Sequence, residues 1–419
     1  MDFILELFRN DPKLIEKISI PLTCAFVGWS TNWVAVEMIF KPINFKGIWK
    51  IGWIGIIPHH AEKMSKMITE ILTKKLMTPY ELYKRVDPNT INEQVHDLIQ
   101  AKSSEIVEVI IKEENPTLWG LMPDVLKKGI EDQIANEIPK QIVDVYKSYG
   151  DDLDSVLEFD AVVKDALCGK NVGVLIELFK RCGGPEFKFI IVSGIYFGFI
   201  IGLIQLVFLS LLGQWWTFPI MGVVVGYVTN WVALQMIFRP LEEKDFILFK
   251  YQGLFLRRQN EVSKELANII AEKVLNSENI LRLIFRGKGG DLLIKLVMDN
   301  AYKGVETLMK DKAPLAPIML GVEKTAALKE RVAGKIMEMI PNIANRVQNY
   351  ITDSLKIEET VNDRLSKLSK AEFEDILHSV FKEDEMTLIL LGAFLGGMVG
   401  LAQALLVIDP SQLPAFLRF

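Results

Sequence analysis

Residues 28–42 read GWSTNWVAVEMIFKP, and residues 226–240 read GYVTNWVALQMIFRP. The two stretches lie 198 residues apart and are identical at ten of their fifteen positions. The same offset also joins identical residues outside these stretches: Pro21 and Pro219, Gly55 and Gly253, Asp165 and Asp363. Because one register holds across such widely separated points, the sequence predicts that the chain contains two copies of one unit.

Each predicted copy begins and ends with an apolar stretch. Three stretches of 23 or 24 residues contain no charged side chain, namely residues 189–212, 215–238 and 386–408. At about 1.5 Å per helical residue, each can cross a hydrocarbon core of roughly 30 Å. Residues 18–40 are a weaker fourth candidate, because they include Ser30, Thr31, Asn32 and Glu37. A buried core helix is the alternative there, but the repeat favours a membrane span.

The predicted fold is an all-α integral membrane protein with four transmembrane helices in two parallel-oriented tandem repeats, each with a helical cytoplasmic insert. Near the span ends, ten Lys and Arg residues lie on the side of the two long loops and four on the opposite side. This bias places the long loops in the cytoplasm and both termini outside. The predicted divisions are residues 1–40 (outer N-terminus and first span), 41–187 (first cytoplasmic region), 188–240 (transmembrane hairpin), 241–385 (second cytoplasmic region) and 386–419 (fourth span and outer C-terminus).

The two long inserts show helical periodicity. Apolar residues recur at spacings of three and four, for example at Ile336, Ile340, Ile343 and Val347. We expect these amphipathic helices to pack into a bundle rather than to lie flat on lipid, and we expect their methionines to line adaptable apolar grooves. Two prolines, Pro139 and Pro341, are predicted to kink or end their helices, and the glycine-rich run 287–290 is predicted to be a loop.

Standard catalytic and metal-binding signatures are absent from the sequence. It contains no GxxxxGK[ST], HExxH or GxSxG motif and no ligand-spaced Cys and His cluster, so no catalytic residue, metal ion or cofactor is predicted. The 48 basic and 53 acidic residues give a net charge of −5, which argues against a nucleic-acid partner. The three cysteines show no CxxC pattern, which favours a reducing compartment.

An adjacent histidine pair, His59 and His60, falls on Arg257 and Arg258 at the offset of 198. Arginine in the second copy argues against a metal site. The shared properties are basicity and hydrogen-bond donation, which suit contacts with lipid head groups. A solvated start of a helix is the alternative for each pair.

Polar residues interrupt the apolar stretches at equivalent places: Thr31, Asn32, Thr229 and Asn230. Within a membrane their polar groups need partners from other helices, water or a ligand. Two groups of glycines recur at every fourth position and allow close helix packing: Gly194, Gly198 and Gly202, and Gly392, Gly396 and Gly400. We expect Asn32 to lie against the first group and Asn230 against the second. The polar residues then either line a constriction or head-group site, or serve only to fix the packing of the helices.

The elements TNWVAVEMIFKP and TNWVALQMIFRP, followed by GIIPHHAEKMSK and GLFLRRQNEVSK, resemble a bacterial membrane family catalogued as domain of unknown function 445. The similarity covers nearly the whole chain. The resemblance implies a multi-pass protein of the bacterial inner or plasma membrane with helical cytoplasmic regions, and it implies no established activity.

These features favour a non-enzymatic membrane protein that binds or moves lipid or another amphipathic molecule at the cytoplasmic side of the membrane. Its predicted partner is membrane lipid. The alternative is a membrane-anchored helical scaffold that recruits protein partners through the cytoplasmic helices. An ion or solute channel is less favoured, because four spans scarcely enclose a water-filled route without oligomerising. An enzyme is the least favoured class.

Overall fold

A computed structural model describes residues 14–48, 51–108, 112, 116–121, 123–151, 153, 158–212, 214–246, 249–285, 287–312, 316–381 and 385–407. These residues form helices almost throughout, with two short antiparallel β-hairpins. The predicted all-α class is therefore confirmed.

The elements of the N-terminal half are, in chain order, α1 (Leu14–Phe40), β1 (Lys46–Ile48), β2 (Ile51–Trp53), α2 (Ile56–His59), α3 (Ala61–Ile71), α4 (Pro79–Arg85), α5 (Pro88–Glu108), α6 (Pro116–Leu121), α7 (Asp124–Gly150), α8 (Phe159–Leu167) and α9 (Val172–Leu212). A π-helical turn, Leu72–Leu76, continues α3, and a 3₁₀ turn, Gly169–Asn171, precedes α9.

The C-terminal half contains α10 (Thr217–Phe238), β3 (Lys244–Phe246), β4 (Phe249–Tyr251), α11 (Leu254–Arg257), α12 (Gln259–Ile269), α13 (Ser277–Phe285), α14 (Gly287–Lys312), α15 (Ala316–Leu355), α16 (Ile357–Lys367), α17 (Lys370–Phe381) and α18 (Glu385–Val407). A π-helical turn, Ile270–Val274, continues α12. The four strands, α2, α3 and the first π turn each start and end 198 residues before or after an element of the same type. Equivalent sequence positions thus take the same local conformation.

The chain divides into two compact units. Unit 1 comprises the described parts of Met1–Met67, Leu167–Leu266 and Asn362–Phe419, and unit 2 comprises those of Ile68–Ala166 and Ala267–Val361. Unit 1 contains the four longest apolar helices. Among them, α1 packs along α9, and α10 packs along α18. A core of Val27, Ile201 and Val225, with Val399 packed against it, draws residues from all four helices.

Three helical segments among the described residues are long and apolar enough to cross a membrane: Gly169–Phe208, Thr217–Phe238 and Glu385–Leu405. They agree with three of the predicted spans. Residues 18–40 lie in α1, which is not among the three, because Ser30, Thr31 and Asn32 lower its mean hydropathy. Helix α9 continues without interruption through residues 187 and 188, over 41 residues or about 61 Å.

The structure bears on two expectations about helix breaks. Pro139 and Pro341 lie inside α7 and α15, and neither proline ends its helix. The glycine-rich run is not a loop, because α14 begins at Gly287. Gly287 has a φ of 61°, a left-handed conformation that glycine adopts without a steric penalty, so the chain can turn there from α13 directly into α14.

Candidate functional site

The predicted intramembrane polar residues meet inside the four-helix bundle of unit 1. Thr31, Asn32, Thr229 and Asn230 are all at most 3% exposed. The Thr229 hydroxyl on α10 donates to Oδ1 of Asn32 on α1, at 3.3 Å. The structure therefore brings the two TNW elements together at one depth in the bundle.

Each asparagine also joins its helix to the partner helix of its own pair. Asn32 Nδ2 donates to the carbonyl of Ile190 on α9 at 2.7 Å, and Asn230 Nδ2 donates to the carbonyl of Leu388 on α18 at 2.9 Å. These contacts are equivalent under the offset of 198. In the buried core of a bundle, such bonds fix the rotation and the axial register of the paired helices.

The glycines lie at the same two helix contacts. A Cβ atom built on Gly194 would overlap the carbonyl of Gly28, and one built on Gly392 would overlap the carbonyl of Gly226. Gly198 and Gly202 on α9 and Gly396 and Gly400 on α18 are equally close to backbone atoms of the facing helix. Backbone thus contacts backbone in both pairs, an approach that only glycine permits.

The two TNW elements differ at the centre of the bundle. The Thr31 hydroxyl donates to Val27 in its own helix, at 2.8 Å, instead of to Asn230. Oδ1 of Asn230 is buried and has no hydrogen-bond partner among the described residues, whereas Oδ1 of Asn32 accepts from Thr229. Asn32 therefore makes two side-chain bonds between helices and Asn230 makes one.

We predict that Asn32→Ala costs more stability than Asn230→Ala, although the two positions are equivalent in sequence. Interhelical hydrogen bonds in membranes contribute about 0.6 kcal/mol on average and up to about 1.7 kcal/mol. We expect a loss of about 1–2 kcal/mol for Asn32→Ala and about half of that for Asn230→Ala, measured by unfolding in mixed micelles. Equal losses would show that the asymmetry at the bundle centre has no energetic consequence.

The basic pairs lie at the C-terminal ends of the short helices α2 and α11, which follow the two hairpins, and their members differ in environment. His59 and Arg257 are exposed, whereas His60 and Arg258 are partly buried. Arg258 Nη1 donates to both carboxylate oxygens of Glu186, at 2.7 and 2.8 Å, and Arg258 Nε donates to Glu261 at 2.7 Å. Only 1% of the Glu186 side chain is exposed. Arg258 thus compensates a buried charge within unit 1, while Arg257 presents its side chain to the surroundings.

Unit 2 contains an apolar cavity of about 280 Å³. Residues from both inserts line it, from Pro79 to Phe159 in the first and from Leu275 to Ile357 in the second. Of the thirty described lining residues, twenty-five are aliphatic, Pro, Met or Phe, and none carries a charge. The predicted stripe of α15 supplies one wall through Ile336, Ile340, Ile343 and Val347. The two inserts therefore build one apolar site together.

Tyrosines form the opposite part of the lining. The rings of Tyr83 and Tyr146 stack with centroids 4.4 Å apart, and the hydroxyl of each donates to backbone carbonyls. Burial raises the pKa of Tyr149 to about 12 and also raises the pKa of Tyr146. All three residues are therefore neutral near neutral pH, and the lining keeps its uncharged character.

Sequence reasoning expected apolar grooves among these helices, but it did not locate this cavity and it misjudged the composition of the lining. Met339 is the single methionine among the described lining residues, so isoleucine and leucine, not methionine, form most of the surface. The apolar residues at spacings of three and four indicated which helix faces are buried. They did not reveal that the facing helices leave a space between them.

Comparison with known proteins agrees with the membrane architecture. Residues 22–147 match a family described as "Protein of unknown function (DUF445)". The chain is 23% identical to a UPF0754 membrane protein of Microcystis aeruginosa, over 95% of this chain and 98% of the relative. It is 21% identical to a UPF0754 membrane protein of Nostoc sp., over 94% of this chain and 96% of the relative. No solved structure matches the chain. The resemblance to a bacterial membrane family of unknown function is confirmed.

Proposed function

We propose that this chain, a relative of bacterial membrane proteins of unknown function, is a non-enzymatic protein that binds or moves lipid or another amphipathic molecule. In this proposal it spans the cell membrane four times as two parallel repeats. Both helical inserts lie in the cytoplasm, as the distribution of Lys and Arg near the span ends favours.

The surface of the bundle supports α1 as the fourth span. Large apolar side chains on the outside of α1 are exposed, namely Leu22 (58%), Phe26 (60%) and Trp33 (47%). The other three helices expose similar side chains, while Asn32 and Asn230 are buried inside. A bundle with polar groups inside and apolar groups outside is suited to lipid on all four helices.

The repeated local structure supports the duplication. The hydrogen bonds of Asn32 and Asn230, the overlapping glycine contacts and the bounds of the hairpins all recur at one offset. Because each copy crosses the membrane an even number of times, namely twice, both copies have the same orientation in the membrane. Their inserts then reach the same side, where both contribute to one site.

The apolar cavity of unit 2 is the observation that carries the proposed function. Its volume is about 280 Å³, nearly twice the roughly 150 Å³ of an engineered apolar cavity that binds benzene. A lining without charged groups offers no counterion for a charged ligand, whereas it can bury an acyl chain at about 0.8 kcal/mol per CH₂ group. The occupant we propose is the acyl chain of a membrane lipid.

The test fills the cavity from its own wall. Ala301 on α14 is 5% exposed and lines the cavity. We predict that Ala301→Phe places a ring in this space without overpacking, keeps the protein stable and removes most of the lipid that co-purifies in mild detergent. Native mass spectrometry and lipid extraction would measure the retained lipid.

A matched control distinguishes filling from general damage. Ala333 on α15 is fully buried and does not line the cavity. Ala333→Phe should cost about 1–3 kcal/mol of stability through overpacking, yet its folded fraction should retain lipid. Equal lipid content in Ala301→Phe and the unsubstituted protein would refute the cavity as the lipid site.

One observation favours the scaffold alternative. Leu121 and Val125, in α6 and at the start of α7, are 77% and 82% exposed. Neighbouring exposed apolar residues of this kind occur at protein-binding surfaces. A scaffold function predicts that Leu121→Asp with Val125→Asp abolishes function while the retained lipid is unchanged. A lipid-handling function instead predicts that Ala301→Phe lowers the retained lipid and abolishes function.

A further inference from the structure

Two hairpin segments follow α1 and α10 directly: residues 41–53 form the first hairpin segment and residues 239–251 the second. Their strands pair in the same register, with Gly47 opposite Gly52 in the first and Asp245 opposite Lys250 in the second. Each hairpin is attached to the end of its own helix. The Trp53 indole donates to the carbonyl of Met38 at 3.3 Å, and the Tyr251 hydroxyl donates to the carbonyl of Met236. The two hairpin segments thus have equivalent backbones, and they differ in their side chains.

The first hairpin segment exposes apolar and basic side chains together. Ile43 is 46% exposed and Phe45 is 52% exposed, within five residues of the end of α1. A Cβ atom built on Gly52 would lie 2.5 Å from the Phe45 ring, so the glycine leaves room for the ring on this face. The segment contains three basic residues and no acidic residue.

The second hairpin segment has charged side chains at three of the equivalent places. Glu243, exposed, stands where the first segment has Phe45. Asp245 and Lys250 replace the paired glycines and form an ion pair at 3.7 Å, with side chains 78% and 66% exposed. Three acidic residues balance three basic ones. The ion pair is exposed to solvent, and acidic side chains are repelled by the negative potential of an anionic membrane surface.

We infer that the first hairpin segment binds the surface of the bilayer and contacts anionic phospholipid, while the second stays in water. Phe45 and Ile43 enter the interfacial layer, and Lys46 meets lipid phosphate. Aromatic and apolar side chains beside lysines are the combination that binds anionic membrane surfaces. This inference rests on the proposed four-span architecture, which puts the end of α1 at the membrane surface.

Spin labels on equivalent positions test the inference. Asn44→Cys and Glu242→Cys place one label on each hairpin segment of the full chain, in a background with the three native cysteines replaced by alanine. The protein is reconstituted in phosphatidylcholine vesicles with or without phosphatidylglycerol. We expect the label at 44 to have a several-fold higher ratio of oxygen to nickel-chelate accessibility than the label at 242. We also expect phosphatidylglycerol to increase that ratio at 44 alone.

Adding Phe45→Glu, which copies the residue of the second hairpin segment, should bring the label at 44 into water. Equal accessibilities at 44 and 242, or no response to phosphatidylglycerol, would overturn the inference. A third label at Leu22→Cys separates this failure from that of the architecture. If the label at 22 is in lipid and the label at 44 is in water, only the hairpin inference fails. If both are in water, α1 is not a span and the proposed architecture fails as well.

Discussion

Arg258→Ala is expected to destabilise the protein by about 3–5 kcal/mol, because it leaves the carboxylate of Glu186 buried without a counterion. Glu186 is 1% exposed and accepts both of its hydrogen bonds from Arg258, at 2.7 and 2.8 Å. The free-energy penalty for desolvating a buried charge is far larger than the stabilisation that an exposed ion pair provides. The free energy of unfolding in detergent measures this loss, with the helical circular dichroism signal used to monitor unfolding.

The neighbouring arginine provides a matched control. Arg257 is exposed, and Arg257→Ala should change the stability by no more than about 0.5 kcal/mol. Replacing both charged partners, as Arg258→Met with Glu186→Met, should restore most of the loss, since well-packed apolar residues often substitute for a buried ion pair. Equal effects of Arg257→Ala and Arg258→Ala would contradict a structural role for this pair.

The arginine pair illustrates where sequence reasoning stops. The offset of 198 aligned Arg257 with His59 and Arg258 with His60, and it suggested one shared role for each pair. The structure separates the two arginines because the carboxylate that binds Arg258 lies 72 residues away on α9. No local pattern indicates that Glu186 turns toward this loop, so the pairing could not be read from spacing.

Contacts within the bundle were more accessible to prediction. Counting helical rise from the ends of the apolar stretches predicts that Asn32 lies against the first glycine group, and the structure places it beside Gly194 of that group. The bond between Thr229 and Asn32 could not, because it depends on how the two helix pairs meet. The cavity of unit 2 was equally inaccessible, since periodicity marks buried faces but does not give the space between them.

Gly194→Val is the second substitution with a large expected effect, and its comparison is Gly173→Val in the same helix. A Cβ atom at Gly194 would overlap the carbonyl of Gly28 and lie 2.9 Å from Nδ2 of Asn32. The backbones of α1 and α9 would have to separate, which also breaks the bond from Asn32 to Ile190. We expect a loss of at least about 3 kcal/mol, seen as little or no monodisperse protein after extraction.

Gly173 has no atom within 4 Å of an added Cβ among the described residues, so Gly173→Val should fold and give a normal yield. Both substitutions introduce the same β-branched side chain into α9, and intrinsic helix propensity therefore cancels between them. The difference in yield and unfolding temperature measures the contact with α1 alone. A normal yield and an unchanged unfolding temperature for Gly194→Val would mean that α1 and α9 do not pack backbone to backbone, and the depth assigned to Asn32 would lose its basis.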